Sequence, residues 1–190
     1  MGDTRRAMRA DARRNRDRLL AEARAAFLEH GTGASLDDVA ARAGVGAGTL
    51  YRHFPTREAL LEALLGERFD ALTARARALA DQGSAREALL AWTLEFVETT
   101  TAYRGLTAML TATLRDPASA LHASCEAMRE AGTALLARAQ RAGDVRADVT
   151  PAEFLALVAG VSWAREQLTG GEPGGERLLP LIFEGLGPSR

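Results

Sequence analysis

The stretch GVGAGTLYRHF, residues 44–54, gathers the residue types of this chain that could do chemistry. Three glycines at alternate positions could cradle a phosphate, and the Thr-Leu-Tyr-Arg-His-Phe behind them could serve catalysis or contact. A dinucleotide fingerprint, Gly-x-Gly-x-x-Gly, must follow a strand and open a helix. Here Thr49 stands where the third glycine belongs, and the residues before it carry a helical stripe, Leu36, Val39, Ala40 and Ala43. No Gly-Lys-Ser/Thr follows either, so a P-loop is excluded on the same grounds. The glycines read instead as the tight turn between two short helices, the geometry of a helix-turn-helix.

Two elements must position that stretch. Ser35-Leu-Asp-Asp38 has the form of a capping box, with the serine hydroxyl accepting a backbone N–H at a helix start. The helix it opens runs to Ala43 and ends at Gly44, and a second runs from about Ala47 to Phe54, stopped by Pro55. At about 100° per residue Leu50 and Phe54 share one side of this second helix, while Gly48, Thr49, Tyr51 and Arg52 spread over the other. Such a face suits duplex DNA. Arginine pairs bidentately with guanine, a threonine methyl meets a thymine methyl, and Tyr51 and His53 can donate to phosphates at the groove edge. Packing at the border of the module is the other reading of Tyr51 and His53. Arg57 lies in the first turn of the following helix, where the macrodipole disfavours a cation. A phosphate would explain it, as would neutralisation by Glu58.

The rest of the chain reads as helix. Ala, Leu, Arg and Glu dominate, and no alternating β-branched run occurs among the 190 residues. The fold class expected is all-α with about nine helices: one from about residue 13 to His30, the two described, a long one from Thr56 fading near Gly83, then 84–101, 105–114, 117–142, 151–169 and 174–186. No Pro- or Gly-rich linker interrupts the passage from the third helix to the fourth. The organisation expected is a basic flexible arm over 1–12, a helix-turn-helix module over 13–55 and a regulatory domain over 56–190. Charge follows the same division. Net charge is −1 overall, but the first eighteen residues hold seven arginines against three aspartates, an electrostatic handle for polyanions. One cysteine, Cys125, excludes an internal disulfide and fits a reducing compartment. The arginine-rich N-terminus lacks the apolar stretch of a secretion signal, and the longest apolar run, Phe154 to Ala164, is far short of the roughly 20 residues that span a bilayer. A soluble cytoplasmic protein without a membrane partner is expected.

The larger domain offers surfaces rather than catalytic sets. Trp92, Phe96, Met109, Leu110, Met128 and Trp163 are large or adaptable side chains that could line an effector pocket, or simply be core. His122 and Cys125 stand at i, i+3 on one helix and border the same region, but no second pair completes a metal site. With few charges at interior positions, the effector expected is small and apolar or weakly polar. No cofactor motif and no nucleophile–base constellation appears, so an enzyme or carrier ranks far behind a regulator. The helix from Phe154 is apolar nearly all round and must be buried on more than one side. One side can meet the chain's own bundle and the other a partner. The last helix supplies a matching stripe.

The run from Ser35 to Leu60, with its Ala-Gly-Val, Gly-Thr-Leu-Tyr, the aromatic at 54 and the basic residue at 57, resembles the DNA-binding segment of the TetR family of bacterial transcriptional regulators. The resemblance extends from about residue 13 to Leu65. It implies a homodimer whose recognition helices enter successive major grooves of a palindromic operator. By position it assigns phosphate contacts to Ser35, Tyr51, His53 and Arg57, and base-edge contacts to the region of Gly46, Ala47, Thr49 and Arg52, with Gly48 keeping the face low. A basic extension in this family can lie in the minor groove, which would engage Arg5, Arg6, Arg9, Arg13 and Arg14. The resemblance also pairs the last two helices with their symmetry mates, through Leu157, Gly160, Val161, Ala164, Leu168, Leu179, Ile182, Phe183 and Leu186. A repressor released by its effector is the implied mechanism; a ligand-independent regulator or an activator is the alternative.

Overall fold

A computed structural model describes residues 2–101, 116–117, 119–167 and 177–187, apart from the side chains of 2–5, 32, 101, 120 and 166. Among the described residues there are eight α-helices and no strand: α1 (Gly2–His30), α2 (Leu36–Arg42), α3 (Ala47–His53), α4 (Arg57–Leu79), α5 (Ala85–Thr101), α6 (Ala120–Arg141), α7 (Pro151–Gln167) and α8 (Leu178–Gly185), with a short 3-10 turn at Gly31–Gly33. The helix expected over 105–114 lies outside the described residues. The flexible arm expected over 1–12 is corrected, because α1 already begins at Gly2. Ala7, Ala10 and Ala12 are strong helix formers, and the Asp11–Arg14 ion pair bridges one turn of that segment.

The chain divides into two compact units, Met1–Leu65 and Gly66–Arg190, and the division falls inside α4 rather than at its start. In the first unit the second half of α1 buries Leu19, Leu20, Ala23, Ala26 and Phe27, while α2 contributes Leu36, Val39 and Ala40 and α3 contributes Leu50. Gly44 ends α2 in the left-handed region at φ +68, which a side chain rarely adopts. Val45 N–H then bonds the Ala40 carbonyl and Gly44 N–H that of Ala41, both at 3.0 Å, closing the helix as a Schellman motif. Arg42 fixes α2 to α1 by pairing with Glu22 at 3.1 Å and Glu29 at 3.2 Å, two carboxylates two turns apart on one face. Those hydrogen bonds hold its guanidinium above its ordinary pKa, Glu29 contributing most.

The second unit is organised around Trp92 of α5. The indole is fully buried, and its N–H donates to the Leu72 carbonyl of α4 at 3.0 Å. Its ring lies so close to α6 that a Cβ on Gly132 would stand 2.8 Å from the indole Cζ3 and 2.9 Å from Cζ2. Arg138 of α6 caps the far end of α4, donating to the carbonyls of Leu79, Gln82 and Gly83. Thr100 of α5 donates to Ser162 of α7 at 2.7 Å, and α7 opens with a reciprocal Thr150–Glu153 capping box. That box holds the Glu153 carboxyl below its ordinary pKa, chiefly through the Thr150 backbone N–H.

Gly132→Ala is expected to destabilise the protein by about 1–3 kcal/mol through overpacking against the indole, despite alanine's higher helix propensity. Gly66→Ala meets only Ser124 Oγ at 3.9 Å and is expected to stabilise by up to about 1 kcal/mol. Chemical denaturation of the two variants checks the contrast.

Candidate nucleic-acid interface

The exposed face of α3 is built by what its neighbours take away. Leu50 is fully buried and Phe54 nearly so, which turns Gly46, Ala47, Gly48, Tyr51 and Arg52 outward. Thr49 and His53 are half-buried at the margins of that face. A Cβ added to Gly46 or Gly48 would meet nothing within 4 Å. The chain's own packing therefore has no need of glycine at either position. At Gly48 the missing side chain leaves the face open to whatever approaches from outside, while Gly46 also suits its place as the N-cap of α3.

Ser35 is the N-cap of α2, and its Oγ accepts from the Asp38 N–H at 3.2 Å, as the capping box requires. Gly46 caps α3 through its backbone alone, its carbonyl accepting from Thr49 N–H at 2.8 Å. Arg52 folds back along α3, its Nε donating to the Gly48 carbonyl at 3.0 Å and its Nη2 to Thr49 Oγ1 at 3.1 Å. Thr49 and Arg52 thus form one unit on the outward face, a pairing not read from the sequence although their i, i+3 spacing permits it. Arg57 donates from Nη1 to the Ala34 carbonyl at 2.6 Å, which ties the start of α4 to the residue before the α2 cap. That contact gives the arginine a structural reason to sit against the helix dipole, besides a phosphate or Glu58. The His53 ring lies 6.2 Å from that of Phe54, and Arg16 of α1 stands over the Phe54 ring at 5.8 Å. Of the expected arm residues, Arg6, Arg9, Arg13 and Arg14 are exposed on α1; the Arg5 side chain lies outside the described residues.

The second unit sorts the candidate pocket residues. Trp92, Phe96, Cys125 and Met128 are buried, and His122 is half-buried. Trp163 is 56 % exposed, which corrects its assignment to an interior pocket: α7 buries Phe154, Val158, Val161 and Ser162 instead. Met109 and Leu110 lie outside the described residues. Burial pushes the Cys125 thiol above its ordinary pKa, and among the described residues no group of three His, Cys, Asp or Glu side chains could hold a metal ion. A cavity of about 200 Å3 between α4 and α5 is lined by Arg68, Ala71, Leu72, Glu95, Glu98 and Thr99. Its charged lining differs from the apolar pocket the sequence suggested.

An open, mainly apolar groove runs between α7 and α8, lined by Leu157, Gly160 and Ala164 on one side and Leu178, Leu181 and Ile182 on the other. Leu157 is 43 % and Leu181 52 % exposed. Leu179 and Phe183, expected at a partner interface, are almost wholly buried in the chain's own core, which corrects that assignment. Arg86 closes over the Phe183 ring at 5.9 Å and anchors it there. Val161 and Leu186 are also buried yet touch the groove floor, and Leu168 lies outside the described residues.

An N-terminal helix-turn-helix with a bare outward face, followed by a separate helical unit, defines a DNA-binding regulator. Residues 19–64 match the family model described as bacterial regulatory proteins, tetR family, and residues 84–188 match one described as the C-terminal domain of SbtR-like transcriptional regulators. Among solved structures, a TetR transcriptional regulator of Streptomyces coelicolor is 36% identical over 92% of this chain and 99% of its own, at a TM-score of 0.68. A TetR regulatory protein of Mycobacterium vanbaalenii is 38% identical over 94% and 98%, at 0.66. AmtR of Mycobacterium smegmatis is 25% identical over 92% and 87%, at 0.64. No curated protein sequence matches the chain. The chain belongs to the TetR family of bacterial regulatory proteins. Its fold supports a role in transcription regulation and not in catalysis. Among the described residues no helix is long and apolar enough to cross a membrane.

Ser35→Ala removes the cap of α2 and is expected to cost about 0.5–2 kcal/mol, whereas Ser35→Asp keeps an acceptor at the same place and is expected to leave stability nearly unchanged. Thermal unfolding of the two variants, followed by circular dichroism, tests this.

Proposed function

We propose that the chain is a homodimeric repressor that binds a palindromic operator and is released by a small effector. The observation carrying the DNA-binding part of this reading is α3, whose outward face is left bare at Gly46 and Gly48 although no packing there requires a glycine. On this reading Thr49 and Arg52, with the backbone near Gly46 and Ala47, meet base edges. Ser35, Tyr51, His53 and Arg57 hold phosphates at the groove edge. Arg57 reaches the phosphate from the same place where it steadies Ala34, so losing it loosens the module as well as the contact.

The dimer rests on the α7–α8 groove. Its exposed leucines and small residues form a surface that suits self-association about a two-fold axis, the symmetry of most homodimers. The effector takes the region of Phe96, Cys125 and Met128, buried groups on α5 and α6 that suit an apolar or weakly polar molecule. Trp92 is assigned to the core because its indole is pinned between Leu72 and Gly132. An effector releases DNA only through its differential affinity for the state that cannot bind. A coupling of about 1–3 kcal/mol lowers operator affinity roughly 5- to 150-fold.

Selection of an operator from a random duplex library, followed by mobility shift, tests DNA recognition. Arg52→Ala is expected to erase preference at one base-pair position, worth about 1–3 kcal/mol, while leaving non-specific binding nearly intact. Ser35→Asp, which keeps the cap but places a charge against phosphate, is expected to weaken binding to every duplex alike. Equal loss across sequences for both variants would overturn the division of roles. For the dimer, Leu157→Glu at an exposed site is expected to leave the helical spectrum unchanged and shift sedimentation to the monomer. Retention of a dimer removes the groove from that role.

A further inference from the structure

The first half of α1 carries its arginines in a pattern that the core of the first unit does not require. At about 100° per residue, Arg6, Arg9, Arg13 and Arg16 fall within an arc of about 80°. Asp11 falls well outside it, and Asp17 lies about 20° beyond its edge. Of the residues buried in the second half of the helix, Leu20 and Phe27 fall inside the same arc, Ala23 lies about 20° beyond it, and Leu19 and Ala26 lie about 60° and 80° beyond it. The arginine stripe therefore overlaps one edge of the face that docks on the module. Where α1 outruns its core, that edge of the face carries arginines. Residues 6–14 are all exposed, Met8 at 66 % among them.

That pattern opposes the helix that carries it. Arg9–Arg13 is a like-charge pair at i, i+4, and Arg6–Arg9 and Arg13–Arg16 are like-charge pairs at i, i+3. A face so arranged is favoured by a polyanion outside the chain. Its position names which one. Arg16, the last residue of the stripe, stands 5.8 Å over the ring of Phe54, the C-cap of α3. The stripe therefore starts beside the end of the recognition helix and runs on for about 15 Å to Arg6.

We propose that the first half of α1 binds duplex DNA as a helix, setting Arg6, Arg9 and Arg13 along the phosphate backbone beyond the reach of α3, with Arg16 at the root of the stripe. This replaces insertion of an extended arm into the minor groove, because a helix about 10–12 Å across does not enter a groove about 6 Å wide. The contact is blind to sequence and adds affinity without specificity. It rests on the DNA-binding reading of α3, and the two are separable by experiment.

The test uses the full chain and a long random-sequence duplex, with binding measured against salt. Replacing Arg6, Arg9 and Arg13 by glutamine is expected to reduce the slope of log K against log salt by about 0.9 for each phosphate no longer neutralised. Ala10→Pro keeps every charge but breaks the helix, and it is expected to reduce the slope as well. An unchanged slope in the glutamine variant overturns the proposal. So does an unchanged slope in Ala10→Pro, especially if affinity then follows A·T content, since that outcome restores the extended arm. Failure of the wild type to bind any duplex would instead remove the reading of α3 itself. Arg52→Ala, which leaves α1 intact, reports on α3 alone.

Discussion

A helix of seven residues is too short to be stable in water by itself, and α3 is such a helix. Everything the protein can present to DNA from it therefore depends on one buried side chain, Leu50, fully enclosed by the first unit. Around that anchor the remaining constraints act on direction. Gly44 turns the chain through a backbone conformation closed to most residues, and the Schellman bonds fix where α2 stops. Arg42 ties α2 to two carboxylates of α1, and Arg57 holds the backbone just ahead of its cap. A short helix held at its middle and oriented by its predecessor can be rigid without being stable on its own. Rigidity is what a reader of base edges requires.

Arginine is the only strongly basic residue in the chain, and it serves two opposite purposes. Arg42, Arg57, Arg86 and Arg138 spend their donors on carboxylates and backbone carbonyls, where the planar fork satisfies several acceptors at once. Arg138 alone meets three carbonyls where α4 ends, replacing a C-terminal cap. Arg6, Arg9 and Arg13 of early α1 instead face water. Composition could not separate these classes. Only the contacts show which charges complete the fold and which are left exposed.

The parts legible in the sequence were those governed by short-range period and turn chemistry. Leu36, Val39 and Ala40, the Ser35 cap and the stop at Gly44 placed α2 and α3 almost to the residue. The start of α1 was not legible, because an exposed helix carries no apolar stripe and its arginines resemble a disordered arm. Nor could the sequence distinguish Trp92 from Trp163. Both lie in apolar helices, and only the gap left by Gly132 and the carbonyl of Leu72 select Trp92 for the core. A helix apolar on every side, such as α7, predicts that both sides are covered but not which residues face which way. Leu179 and Phe183 against Leu178 and Leu181 is the same ambiguity in α8, where a one-residue step moves a side chain from core to groove.

Arg52 shows how the fold bears on recognition. A long side chain that must order on binding gives up rotamer freedom, which offsets part of what its hydrogen bonds contribute. Here the guanidinium is already held, by the Gly48 carbonyl and the Thr49 hydroxyl. Two of its five N–H donors are engaged within α3, so the fork can meet a guanine edge with the others while keeping its place. The glycines on either side of Ala47 let the backbone close the remaining distance. With so few side chains on that face, most of the direct readout rests, on the proposed reading, with a single pre-ordered arginine. The remaining sequence preference then falls to the shape and deformability of the duplex, which a low, rigid helix surface can sense without touching a base.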